Sequence, residues 1–237
     1  AIATKPDGIA ISIADPDAMR GPVSRVIAAG IPIVNLDSGE KAGEEMGITL
    51  YVGTVSEYDS GKRAGMRLAK EGTLKVVCIN HEVGNTSLDD RCRGLNDGLA
   101  PSGGGTEVVA VTPDPADITR RTEAYLSAHP EVQAVFAMGA GAASPLIPMF
   151  REKELWGKLK LYTFDISPEV LDSIAAGEMG FGMDAQQYLM GFLPVLYLVE
   201  NVTHGFWPLN NTYTGPLFVD TPEKAKGMMQ LAKEGIR

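Results

Sequence analysis

Leu74–Asn80 reads LKVVCIN and Ser87–Leu99 reads SLDDRCRGLNDGL. The first run is short, apolar and β-branched, and it follows Gly72, so it predicts a buried strand. The second predicts a helix. Ser87 is a good N-cap residue, and Asp89 and Asp90 fall in the first turn, where the helix dipole favours negative charge.

The same alternation runs outward in both directions. Towards the N-terminus, strands are expected at Asp7–Ile13, Ile33–Asp37 and Leu50–Thr54, with helices at Ala18–Ala29 and Glu57–Glu71. Gly30 and Pro32 mark a helix stop before the second strand, and Gly72 closes the second helix. Towards the C-terminus, strands are expected at Glu107–Val111, Ala134–Met138, Lys160–Phe164, Gly180–Met183 and Leu217–Val219. Helices are expected at Ala116–Ala128, Ser144–Lys153, Pro168–Ala176, Gln187–His204 and Pro222–Glu234. Repeated βα units with short loops imply an α/β fold with parallel sheets flanked by helices on both faces.

Such sheets bind ligands outside the carboxyl ends of their strands. The residues to weigh are therefore Asp15, Asp37, His81 to Asn85, Gly139 to Ala142, Asp165, and Asp184 to Gln186. Short carboxylates and amides dominate this set. A sugar hydroxyl both donates and accepts, so Asp acceptors with Arg or Asn donors can saturate it. For any one such residue the plainer reading is a helix cap, and Asp15 and Ser87 are read that way first.

Composition narrows the function. The chain has 237 residues, 44 % of them hydrophobic, and a net charge of −9. Its basic residues are scattered, which argues against nucleic acid, because phosphate contacts need clustered Lys and Arg. The apolar run Leu189–Val199 contains Pro194 and falls short of the roughly 20 residues a membrane span needs. The opening residues do not have the shape of a signal peptide, and the chain reads as processed or truncated. The histidines at 81, 129 and 204 are isolated and no CxxC occurs, so neither a metal nor a cofactor is expected. Cys78 and Cys92 are either two buried thiols or a disulfide between a strand and the following helix, the latter implying an oxidising compartment.

Several stretches together resemble the ribose- and galactose-binding proteins of bacterial ABC importers, of the type I periplasmic-binding fold. They are KPDGIAISIADPDAM at 5–19, AAGIPIVNLDSG at 28–39, YVGTVSEYDSGKRAGMRLA at 51–69 and NTSLDDRCRGLNDGL at 85–99. AHPEVQAVFAMGAGAA at 128–143, LYTFDISPEVLDSIAAGEMGFGMD at 161–184, QQYLMGFLPVLYL at 186–198 and TGPLFVD at 214–220 complete the set. The resemblance implies two Rossmann-like lobes joined by hinge strands near Gly53–Thr54, Asp184–Gln186 and Thr214–Gly215. One lobe is then 1–53 with 186–214, and the other is 54–185 with 215–237.

By the same resemblance, Asp37 matches an aspartate that holds sugar hydroxyls from the first lobe. Arg91 and Asp165 match the arginine and aspartate that reach the sugar from the second. Asn85 and Ser87 stand where relatives place polar contacts, and His81 lines the same edge. Two positions depart from the family. Gly139 stands where Asn is common, and Ala185 stands where the third hinge has Gln or Asn, with Asp184 or Gln186 as substitutes.

A third departure is larger. The two βα units that usually precede KPDGI are not in the sequence, so the first lobe is expected to be incomplete, with an exposed sheet edge and weaker ligand binding. The implied role is a periplasmic or extracytoplasmic receptor that closes on a monosaccharide or polyol and delivers it to an ABC importer permease, without catalysis. Two alternatives share parts of the pattern. The effector core of a LacI-type repressor has this fold, but no helix-turn-helix is read here. A sugar-active enzyme would need more than the partial GxGxxG at Gly139–Ser144, and His81 beside Glu82 has no evident nucleophile.

Overall fold

The computed structural model describes residues 2–237. The first half runs β1 (Ile9–Ile11), α1 (Pro16–Ala28), β2 (Ile33–Leu36), α2 (Glu40–Glu45), β3 (Tyr51–Thr54), α3 (Glu57–Lys70), β4 (Lys75–Asn80) and α4 (Thr86–Leu99). It continues β5 (Gly105–Ala110), α5 (Pro115–Ala128), β6 (Ala134–Ala137), α6 (Ala140–Glu152), β7 (Lys160–Phe164) and α7 (Pro168–Ala175). It ends β8 (Phe181–Asp184), α8 (Gln187–His204), β9 (Thr212–Gly215), β10 (Leu217–Val219) and α9 (Pro222–Lys233). Two compact units result. The first comprises the chain up to Ser56 with Gly84–Ser87 and Gln186–Gly215, and the second comprises Glu57–Val83, Leu88–Ala185 and Pro216–Arg237.

The first unit holds a four-stranded parallel sheet in the order β1-β2-β3-β9. Neighbouring residues of β2 feed opposite faces, as the period of two requires. Ile33 packs with Val23 and Val26 of α1, whereas Val34 packs with Val52 and with Leu198 of α8. β1 ends the sheet, and α8 carries exposed Phe192, Val195, Val199 and Val202 on its outer side.

The second unit holds a six-stranded sheet in the order β10-β8-β7-β6-β4-β5. On one face Val77, Ile79, Val135 and Leu161 meet Ile118 of α5, Leu146 and Phe150 of α6, and Val170 and Ile174 of α7. On the other face Val76, Cys78, Phe136, Tyr162 and Phe164 meet Ala64 and Leu68 of α3 and Leu95 and Leu99 of α4. Phe136 lies 5.5–6.0 Å from the rings of Tyr162, Phe164 and Phe181. Aromatic contacts of this kind contribute about 0.5–1.5 kcal/mol beyond burial.

Helices α3 and α4 approach each other through glycines. A Cβ on Gly61 would stand 2.1 Å from the Arg91 carbonyl oxygen, and one on Gly94 would stand 2.0 Å from that of Tyr58. Gly65 and Gly98 meet Leu95 O and Lys62 O at 2.3 Å in the same way. Each pair is four residues apart, one helical turn, so the two small-residue stripes face each other.

Three expectations are corrected. β10 pairs antiparallel to β8; only Pro216 separates it from β9, which leaves no crossover helix to set it parallel. Helix α4 begins at Thr86, and Ser87 donates its N–H to Asn85 Oδ1 (3.0 Å), so Asn85 turns the chain into the helix rather than Ser87. α6 begins at Ala140, directly after Gly139. Of the two readings left open for Cys78 and Cys92, the structure has the disulfide, which joins β4 to α4 with Cα atoms 6.0 Å apart. Asp15 is the cap it was read as, accepting from Ala18 N at 3.1 Å. No helix among the described residues is long and apolar enough to cross a membrane.

Candidate functional site

In the second unit, β4, β6, β7 and β8 end side by side, and four of the expected residues follow or close them. His81 follows β4, Gly139 follows β6, Asp165 follows β7 and Asp184 ends β8. Arg91 reaches this edge from α4. Its guanidinium is fixed on every side: Nε donates to Glu57 Oε2 (2.6 Å), Nη2 to Glu57 Oε1 (3.1 Å) and Nη1 to the Met138 carbonyl (3.3 Å). Its Cζ lies 4.6 Å from the Phe164 ring centroid, a cation–π contact.

Nη1 also stands 3.8 Å from Asp165 Oδ2. The Arg91 side chain is 5 % exposed and that of Asp165 is 25 % exposed, so the carboxylate is the wetter partner. Asp165 has φ 64°, a left-handed backbone that Asp tolerates better than most residues. Arg91 is thus a fixed donor, held by Glu57, with the Asp165 carboxylate beside it as an acceptor. Such a pair suits a hydroxyl, which uses both.

Glu57 was not among the expected site residues. It lies 34 positions from Arg91 and is joined to it by the glycine contact of α3 with α4. The rule of inspecting residues just after each strand, applied to β3, would have reached it.

His81 lies against Gly139: a Cβ at 139 would stand 2.9 Å from His81 Cε1 and 3.6 Å from Asp165 Oδ2. Burial pulls the imidazole pKa below its usual value; Glu82 opposes this and the positive Arg91 adds to it. Asp184 is fully buried and accepts from Arg237 Nε at 2.8 Å, so a structural ion pair engages it.

In the first unit, Asp37 follows β2 in the same left-handed conformation, φ 62°. Its Oδ2 accepts from Ser12 Oγ (3.3 Å) and Ser38 Oγ (3.1 Å), and its carbonyl accepts from the Tyr51 hydroxyl (2.6 Å). The turn is held close: a Cβ on Gly39, itself at φ 73°, would stand 2.3 Å from Ile13 O. Ser12, Ser38 and Tyr51 were not expected at the site. Gln186 is also left-handed, φ 58°, and its amide donates to the Thr214 carbonyl. Asn85 and Ser87 belong to this unit, with Ser87 buried.

The structure thus brings Arg91, Asp165, His81 and Gly139 together on the second unit, with Asp184 ending a strand of that sheet. It puts Asp37, Asn85, Ser87 and Gln186 on the first. The aromatics of the C-terminal half serve packing or the surface: Trp207 Nε1 donates to Thr49 Oγ1 (3.2 Å), and Tyr188 stacks on Phe192.

Comparison with known proteins gives concordant results. A xylose/arabinose-binding protein, XylF, of Sulfolobus acidocaldarius is 27 % identical over 239 residues, covering 94 % of this chain and 57 % of that protein. The chain therefore spans little more than half the length of that relative. The crystal structure of a carbohydrate transporter from Acidothermus cellulolyticus 11B, in complex with myo-inositol, is 29 % identical with a TM-score of 0.92. It matches 100 % of this chain and 81 % of its own. An ABC transporter solute-binding protein from Burkholderia graminis C4D1M, in complex with D-arabinose, is 26 % identical with a TM-score of 0.82, covering 92 % and 77 %. The periplasmic binding protein domain family matches residues 1–205, and the chain belongs to that family.

Proposed function

We propose that this chain is the receptor of a sugar importer: it captures a monosaccharide or related polyol and hands it to the permease of an ABC transporter, with no chemical step of its own. The observation that carries this is the Arg91–Asp165 pair, a buried donor locked by Glu57 beside a wetter acceptor at a parallel-sheet edge. Asp37, held by Ser12 and Ser38 at the corresponding edge of the first unit, supplies further acceptors. Asn85, Ser87, Gln186, His81 and Gly139 complete the ligand shell, and Asp184 supports it. The relatives' ligands, myo-inositol and D-arabinose, are small polyols of the class such groups serve.

In this reading the lobes are 1–53 with 186–214 and 54–185 with 215–237. They close about Gly53–Thr54, Asp184–Gln186 and Thr214–Gly215. Closure is favoured because a ligand that contacts both lobes has higher affinity for the closed state. The Cys78–Cys92 disulfide supports an oxidising, extracytoplasmic location and weighs against a cytosolic repressor core, whose thiols would stay reduced.

A thermal-shift screen against pentoses, hexoses and cyclitols tests the reading. A ligand at 100 times its Kd stabilises the folded form by about 2.7 kcal/mol. At least one compound is expected to raise the melting temperature. A panel with no shift at millimolar concentrations overturns the proposal.

A further inference from the structure

Gly139 has an extended backbone, φ 174° and ψ 159°, which any residue adopts, so no dihedral requirement explains a glycine there. What excludes a side chain is the imidazole of His81. A Cβ at 139 would meet Cε1 at 2.9 Å and Nε2 at 3.3 Å, with Asp165 Oδ2 next at 3.6 Å. Positions 81 and 139 therefore compete for one space beside Asp165, and here the ring has it.

The ring is polar and incompletely paired. Nδ1 is buried with no hydrogen-bond partner among the described residues. A buried N–H without an acceptor is the costlier way to leave that atom, so the neutral ring places its proton on Nε2. Nε2 is the nitrogen nearer Gly139, and Glu82 Oε1 lies 3.9 Å from it, beyond hydrogen-bond reach. The charged groups around the ring are Glu82, Arg91 and Asp165, and Glu57 is already committed to Arg91.

We infer that residues 81 and 139 act as a single specificity-determining position: Gly139 admits the imidazole, and His81 Nε2–H, paired with Asp165 as acceptor, reads one hydroxyl of the bound polyol. The inference rests on the receptor reading above. It adds that the contact comes from position 81 because position 139 is empty, and that the two positions cannot both carry a side chain in this space.

The test has two arms. Without ligand, proton NMR follows the His81 ring through a pH titration, with His129 and His204 as internal references and His81→Asn for assignment. In the wild type His81 titrates below the usual value of about 6.5. In Gly139→Ala the methyl displaces the ring towards water, and its titration moves up to the ordinary range; an unmoved titration overturns the shared space. With ligand, the sugar that gives the largest thermal shift is titrated calorimetrically. His81→Ala and Gly139→Ala are each expected to weaken binding about tenfold. The double variant is expected to be no weaker than His81→Ala alone, because the methyl then has room. Losses that add overturn the inference. A wild-type chain that binds no sugar overturns the receptor reading, while the ligand-free arm still decides whether the two positions share a space.

Discussion

Arg91 and Glu57 meet fork to fork, Nε to Oε2 at 2.6 Å and Nη2 to Oε1 at 3.1 Å, with side chains only 5 % and 9 % exposed. Bidentate, desolvated pairs are costly to break from one side, because the remaining charge stays buried. Arg91→Ala is expected to lower stability by about 3–5 kcal/mol. Glu57→Leu with Arg91→Met is expected to regain most of that loss in urea unfolding, since a well-packed apolar pair replaces the ions. The double variant should still fail to bind sugar, which separates the pair's role in folding from its role in recognition.

The same pair depends on how closely α3 and α4 pack. Gly94→Ala would place a methyl 2.0 Å from the Tyr58 carbonyl oxygen, which is backbone and cannot swing aside. The helices must part, at a cost of about 1–3 kcal/mol. A lower melting temperature with weaker ligand binding is the expected result. An unchanged melting temperature would show that the helices part freely.

Removing the Cys78–Cys92 disulfide is expected to cost about 3 kcal/mol, the value for a loop near 15 residues; the separation here is 14. Denaturant unfolding of the Cys78→Ala/Cys92→Ala variant, compared with the wild type in the presence and absence of a reductant, measures it. The reduced wild type should match the variant.

Much of this architecture can be read from the residues themselves. β7 and α8 have the expected bounds, because a short, largely apolar and aromatic run (KLYTF) and a Pro-interrupted apolar helix carry strong signals. α2 was not expected: EKAGEE is six residues with almost no apolar face. β9 is implied only by the resemblance, as a hinge strand near Thr214–Gly215, and not by its pattern, because TYTG alternates weakly and Tyr213 is half exposed. At the site, aspartates at strand ends are legible because they follow apolar runs directly. Glu57 also lies just after a strand, but its pairing with Arg91 is not legible, because it comes from a helix contact made by glycines, which leave no hydrophobic pattern. The choice between disulfide and thiols turns on distance, which residue types alone do not contain.

His81 gives a pH dependence whose sign follows from its lowered pKa. In the unfolded chain it binds a proton near pH 6.5, whereas the folded ring resists protonation because of burial and Arg91. The unfolded state therefore holds more protons as pH falls below that value, and stability drops with it. The contribution is complete above about pH 6.5 and is lost as pH falls through the folded value. His81→Gln should flatten this part of the stability–pH curve, as followed by thermal unfolding between pH 7 and 5.

Asp37 offers a cleaner probe of recognition. Asn tolerates its left-handed backbone and keeps a carbonyl acceptor for Ser12 and Ser38, so Asp37→Asn is expected to lower stability by no more than about 1.5 kcal/mol. Losing the charged acceptor should still weaken sugar binding, since hydrogen bonds to charged groups contribute about 1.5–3 kcal/mol. Paired melting and binding curves on this one variant check both halves.

The most direct measurement is titration calorimetry of the tightest sugar from the screen into the wild type, Asp37→Asn and Glu57→Leu/Arg91→Met. One-to-one binding by the wild type, with at least a roughly tenfold loss in each variant, is the predicted result. Equal affinity in all three proteins would contradict it, because no carbohydrate would then be held by these groups.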